Sequence, residues 1–153
     1  MRVWRLTTKR HTNTAFSGIG NRKAGSRWVP SGYSAVYTST HLSLAVLETL
    51  VHIDPFHLKN NFVVLQAEIS EEIDIETLQP DTLPDDWQDG YEDPRLQAIG
   101  QDWIERASSA VLIVPSAIVP VERNIIINPL HSDFKHIKIS DPAPFRFDGR
   151  LMT

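Results

Sequence analysis

The clearest periodicity in the chain lies at residues 62 to 69. There Val63, Leu65, Ala67 and Ile69 alternate with outward positions that include Gln66 and Glu68. A period of two predicts a strand with one buried face. Val3 to Leu6 reads as a short first strand, and Ala35-Val36-Tyr37-Thr38-Ser39 as a second. The continuous apolar run Ala110 to Val114, closed by Pro115, predicts a central strand, and Asn124 to Ile127 another. His136 to Ile139 and Phe145 to Phe147 are two further candidates. Helical spacing takes over in two places. Leu44, Leu47 and Val51 predict the apolar face of a helix capped by Ser39 or Thr40 and running to about His52. Asp93-Pro94 supply the N-cap and first position of a second helix, with Leu96, Ile99 and Trp103 on one face.

Between these elements lie two long polar stretches. Residues 9 to 34 are rich in Gly, Ser, Asn, Arg and Lys and read as a loop, which in a compact domain is often functional. Residues 76 to 93 carry Pro80, Pro84, Gly90 and seven acidic side chains, and read as a solvated loop. Strands separated by mixed loops, with two clear helices, favour α+β over a βαβ array. A length of 153 residues is about one domain, so residues 1 to 153 are read as a single unit.

Composition narrows the chemistry. Net charge is −4, which argues against non-specific nucleic-acid binding. Cysteine is absent, which excludes disulfides, Cys-ligated zinc and thiol catalysis. The start, Met1-Arg2-Val3-Trp4-Arg5-Leu6, lacks the apolar run of a signal peptide, and no stretch approaches the ~20 apolar residues needed to cross a bilayer. The expected location is the cytoplasm. His11, His41, His52, His57, His131 and His136 form no metal-ligand motif, so no metal is expected.

Four residues are candidates for chemistry. Glu48 lies four after Leu44 and three before Val51, so its carboxylate falls at or beside the apolar stripe of its helix. A carboxylate there needs a partner or a raised pKa. It is either a boundary residue paired with a base such as His52, or an active-site group. The stretch Gly18-Ile19-Gly20-Asn21-Arg22-Lys23-Ala24-Gly25-Ser26-Arg27 combines close backbone approach with positive charge and suits a pyrophosphate. Its glycine spacing fits neither a dinucleotide fingerprint nor a P-loop. Tyr37, late in its strand, either packs in the core or stacks on a flat ring. Ser116, just past Pro115, is either a turn residue or a hydroxyl that binds a ligand or orients a catalytic group.

Taken together, these pieces resemble one family, the RES domains. Arg2-Val3-Trp4-Arg5-Leu6 is similar to the family's opening, as are Ala15-Phe16-Ser17-Gly18-Ile19-Gly20 and Gly25-Ser26-Arg27-Trp28. Tyr37-Thr38-Ser39, Leu44-Ala45-Val46-Leu47-Glu48-Thr49-Leu50-Val51-His52, Val114-Pro115-Ser116 and Asn128-Pro129-Leu130-His131 follow in the family's order. The close, Phe145-Arg146-Phe147-Asp148-Gly149-Arg150-Leu151, also looks like the family's. The Arg, Glu and Ser that give the family its name fall on Arg27, Glu48 and Ser116. One departure is Val29, which stands where the family usually has Asn and removes a hydrogen-bonding side chain from the loop.

The resemblance implies a fold similar to ADP-ribosyltransferases of the diphtheria-toxin type. It implies cleavage of the nicotinamide–ribose bond of NAD+, which is a substrate here, with no cofactor. The acceptor is water, phosphate or a protein. It further implies the toxin half of a toxin–antitoxin pair, whose partner is a helix-turn-helix (Xre-type) antitoxin. Contact with nucleic acid would come only through that antitoxin. On this reading Arg27 holds the pyrophosphate, Tyr37 stacks on nicotinamide and Glu48 stabilises the ribosyl cation. Ser116 orients Glu48 or binds the nicotinamide ribose. The rival expectation is a non-enzymatic module that binds a nucleotide or anion through the Gly/Arg stretch; a purely structural subunit is another.

Overall fold

The computed structural model describes residues 1–59 and 61–152. Its strands are β1 (Arg2–Thr8), β2 (Val36–Ser39), β3 (Phe62–Glu68), β4 (Ile75–Thr77), β5 (Val111–Pro115), β6 (Arg123–Ile127), β7 (Lys138–Ile139) and β8 (Ala143–Phe145). They form one eight-stranded sheet in the order β4-β5-β6-β2-β1-β3-β7, with β8 also on β3. Every pairing is antiparallel except β4 with β5. The helices are α1 (Ile19–Ala24), α2 (Leu42–Leu50) and α3 (Pro94–Arg106). This is the expected α+β class.

The alternation in β3 sets its register. Val63, Leu65 and Ala67, with Ile69 just beyond, are buried with Val3 and Val36 in the first core cluster. A slip of one residue against β1 would turn that row outward. A second cluster covers β5 and β6 with α3. Leu96 and Trp103 pack there with Leu112, Val114, Ile126, Trp28 and Val29. Asp93 caps α3 by accepting from the Arg95 backbone N–H at 2.9 Å. Gly100 lets α3 lie on the chain at Trp28, since a Cβ there would stand 1.8 Å from the Trp28 carbonyl oxygen. The helix thereby fixes the segment that carries Arg27.

Four local expectations need correction. Residues 9 to 34 are not all loop, because a 3₁₀ turn at Lys9–Thr14 and α1 lie within them. Gly18 and Gly25, both at positive φ, bracket α1 and confine it to six residues. The acidic stretch 76 to 93 is only partly solvated: β4 pairs with β5 through it, and Leu83 and Trp87 are buried. The cap of α2 is His41, not Ser39 or Thr40. Ser39 gives its hydroxyl to Asn124 and Thr40 gives its own to the Arg123 carbonyl, so β6 claims both. Finally, Leu47 (40% exposed) and Val51 (58%) face outward, while Leu44 and Ala45 are buried. The inner arc of α2 is therefore Leu44, Ala45, Glu48 and Thr49, packed on β1 and β2.

Candidate active site

The inner arc of α2 places Glu48 at the wall of a cavity of about 520 Å³. That size lies in the range of small-molecule sites. The cavity also takes in Arg5 of β1, Tyr37 and Ser39 of β2, Arg27, Tyr91 and Asn124. Of the four candidates from the sequence, Glu48, Arg27 and Tyr37 line it directly. Ser116 stands behind them, fully buried, and reaches the cavity through Glu48.

Glu48 is held by one oxygen. The Ser116 hydroxyl donates to Oε1 at 2.9 Å, and the Asn124 amide donates to the same oxygen at 2.5 Å. Ser116 in turn accepts from the backbone N–H groups of Ile118 and Val119, both at 3.1 Å. Pro115 ends β5 at this point, so the turn behind it folds back over the serine. Among the described residues Glu48 makes no ion pair, and the ring of His52, just past the end of α2, packs at a tilt on Tyr91 with centroids 4.7 Å apart. The boundary-pair reading of Glu48 with His52 is therefore not the arrangement adopted.

The opposite wall is cationic. Arg27 donates from Nη1 to the carbonyls of Trp87 (2.8 Å) and Gly90 (2.7 Å), and its guanidinium lies 5.8 Å from the centre of the Tyr91 ring. Partial burial lowers its pKa, while Glu48, Tyr91 and Asp93 act in the other direction. The remaining basic residues of the Gly/Arg stretch go elsewhere. Arg22 and Lys23 are exposed on α1, and Arg22 borders a different cavity. Six helical residues turn them away from Arg27.

Tyr37 is fixed by a short hydrogen bond between its hydroxyl and that of Ser26. Burial pushes its ionisation above the ordinary tyrosine range. It offers a ring at a set angle and an uncharged hydroxyl.

Neither alternation nor loop composition singles out Arg5. Its Nη1 donates to the Tyr37 carbonyl at 2.9 Å, while its Nε is buried without a hydrogen-bond partner. Burial pushes its pKa down to about 10. Among the described residues no carboxylate pairs with it. Arg5 is partly buried, and a cation shielded from water without a counter-charge is costly, a cost that an anionic ligand relieves. The signal in the sequence was an arginine inside the short first strand Val3 to Leu6. Asn124, a polar residue leading the apolar run Ile125 to Ile127, was a signal of the same kind.

The arrangement can therefore do two things. It can bind anionic groups between Arg5 and Arg27, and it can present one carboxylate oxygen to positive charge on the same ligand. Against known proteins, the RES domain family model matches residues 2–148. The chain belongs to the RES domain family. It is 42% identical to a protein of Photorhabdus laumondii named Toxin Res, over 99% of this chain and 97% of that one. It is 35% identical to the Prs ADP-ribosylating toxin of a Sphingobium species, over 97% and 95% of the two chains. In fold it is similar to a chain of the crystal structure of the M. tuberculosis MbcT–MbcA toxin–antitoxin complex. The TM-score is 0.79 at 15% identity, covering 95% of this chain and 84% of that one.

Proposed function

We propose that this protein is the toxin of a toxin–antitoxin pair and that it cleaves the nicotinamide–ribose bond of NAD+. The observation that carries the proposal is Glu48, a carboxylate with no ion-pair partner among the described residues, held by one oxygen beside a cavity with Arg5 and Arg27 on its walls. Family membership and the name of the Sphingobium relative support the same reading.

The pyrophosphate lies between Arg5 and Arg27, and nicotinamide stacks on Tyr37. The bond between ribose C1′ and the nicotinamide nitrogen breaks, and its electron pair leaves with the neutral ring. Positive charge grows on the ribose as in other glycosidic cleavages, and Glu48 Oε2 stabilises it. An acceptor oxygen of water, phosphate or a protein side chain then bonds to C1′, and Glu48 takes any proton it releases. Ser116, fully buried, orients Glu48. Its alternative role at the nicotinamide ribose needs an exposed hydroxyl.

The non-enzymatic module is the weaker reading. Glu48 paired with a Lys or Arg and no cavity beside it would favour that reading, and neither is found among the described residues. The natural setting of the proposed reaction is the cytoplasm; among the described residues no helix is long and apolar enough to cross a membrane. The proposed partner is an Xre-type helix-turn-helix antitoxin.

The test follows nicotinamide release from NAD+ by antitoxin-free protein, in phosphate and in phosphate-free buffer, with Glu48→Gln alongside. Release by the wild type and a ~10²–10³-fold loss in the folded variant are expected. Equal release in both buffers means hydrolysis, and release confined to phosphate means phosphorolysis. An equally active Glu48→Gln removes Glu48 from the mechanism.

A further inference from the structure

The proposed function uses Glu48 but leaves open what decides which of its two oxygens meets the ligand. Three side chains from three places in the chain converge on this point. Ser39 on β2 and Asn124 on β6 face each other directly in the sheet. The Ser39 hydroxyl donates to Asn124 Oδ1 at 2.7 Å, and Asn124 Nδ2 donates to Glu48 Oε1 at 2.5 Å. Ser39 (3% exposed) and Asn124 (9%) are both buried.

The direction of each bond is forced by chemistry. An ionised carboxylate only accepts, so the NH₂ end of the amide faces Glu48 and the carbonyl end faces Ser39. The Ser116 oxygen already accepts two backbone N–H groups, so its hydrogen goes to Glu48. Both donors therefore end on Oε1, and Oε2 receives neither. A long side chain with free rotors is reduced to one presentation by fixed, buried donors.

We propose that Asn124, oriented by Ser39, is a positioning residue for the reaction, committing Glu48 Oε1 so that Oε2 alone is presented to the ligand. This rests on the reading that Glu48 acts on the substrate. The informative variant is Asn124→Asp. It keeps the shape and the acceptor for Ser39, but replaces the donor with a second carboxylate. At neutral pH it is expected to lower kcat for nicotinamide release ~10²-fold while leaving KM unchanged. Two facing carboxylates share a proton as pH falls, and the introduced carboxyl, once protonated, again donates to Glu48, so activity recovers toward pH ~5. Asn124→Ala loses kcat without that recovery.

Glu48 interacts electrostatically with Arg27 and Tyr91, and Arg5 lines the same cavity; guanidinium and phenol groups do not change charge between neutral pH and pH ~5. Recovery is also followed in the Asn124→Asp, His52→Gln double variant, which removes the exposed imidazole lining the same cavity, and it is expected to persist there. A merely structural asparagine predicts another outcome: both single variants lose melting temperature and KM together, with no recovery in acid. That outcome, or an Asn124→Asp protein with wild-type kcat at neutral pH, overturns the proposal. Growth arrest on expression without antitoxin, at equal protein levels, separates the two claims. Arrest by a wild type that releases no nicotinamide refutes the NAD+ reading. Relief of that arrest by both Asn124 variants still upholds the positioning role, and persistence of the arrest refutes it.

Discussion

The two walls of the cavity are built on opposite principles. At the Glu48 wall, side chains bond side chains: Ser116 and Asn124 to Glu48, and Ser39 to Asn124. All three supporting residues are buried, and each sits in or just beyond a strand or packs beneath α2. At the Arg27 wall, a side chain bonds the backbone of an irregular segment, through the carbonyls of Trp87 and Gly90. Tyr91 and His52 rest on each other there, both exposed. Regular elements hold a group to a few tenths of an ångström, whereas a loop adapts to what enters. The difference agrees with the proposed function, in which the reacting bond lies at the first wall and the pyrophosphate at the second.

The sharpest way to break this comparison is Ser116→Ala. It removes one donor from Glu48 and the acceptor of two backbone N–H groups, so kcat is expected to fall ~10–100-fold with KM little changed. Steady-state kinetics decide it, and a change confined to KM would move Ser116 to the binding wall. Gly100→Ala attacks the other wall from behind. Its Cβ meets the Trp28 carbonyl, so a loss of about 1–3 kcal/mol in a denaturant titration is expected, with a raised KM.

Arg27→Ala is expected to raise KM ~10-fold and spare kcat, the loss of roughly one charge-assisted contact. It also frees residues 87 to 90, so amide exchange there should quicken, while exchange at Ser116 to Val119 should not. Uniform quickening would show the walls to be one unit.

The smallest effect is a pH dependence. Tyr37 ionises at a higher pH folded than unfolded because burial opposes its charged form. Its contribution is complete below the ordinary tyrosine value of 10 and is lost as pH rises through its higher folded value. Arg5, lowered to about 10, works the other way, since the unfolded chain keeps its proton longer and stability rises from this group above that pH. Tyr37→Phe removes the first of these contributions alone. Its melting temperature, compared with the wild type at pH ~9 and pH ~11, either side of the ordinary tyrosine value, should fall less. An equal fall would mean Tyr37 ionises as freely in the fold as outside it.

Much of this protein was determined by local sequence. The period of two in β3, the apolar runs of β5 and β6 and the Asp93-Pro94 start of α3 act over a few neighbours, so each element was legible where it lies. Glu48 was legible too, because helical spacing alone puts it beside Leu44. What pairs across the chain was not. Asn124 and Ser116 meet Glu48 from 76 and 68 residues away, and Ser39 meets Asn124 from 85. No local rule says that a hydroxyl suited to capping α2 will be claimed by β6 instead. The outward turn of Leu47 and Val51, the burial of Trp87 within an acidic stretch and the Arg5 Nε left without a hydrogen bond among the described residues have the same cause. Each depends on which surface packs against which, and that is settled only by the strand order of the folded sheet.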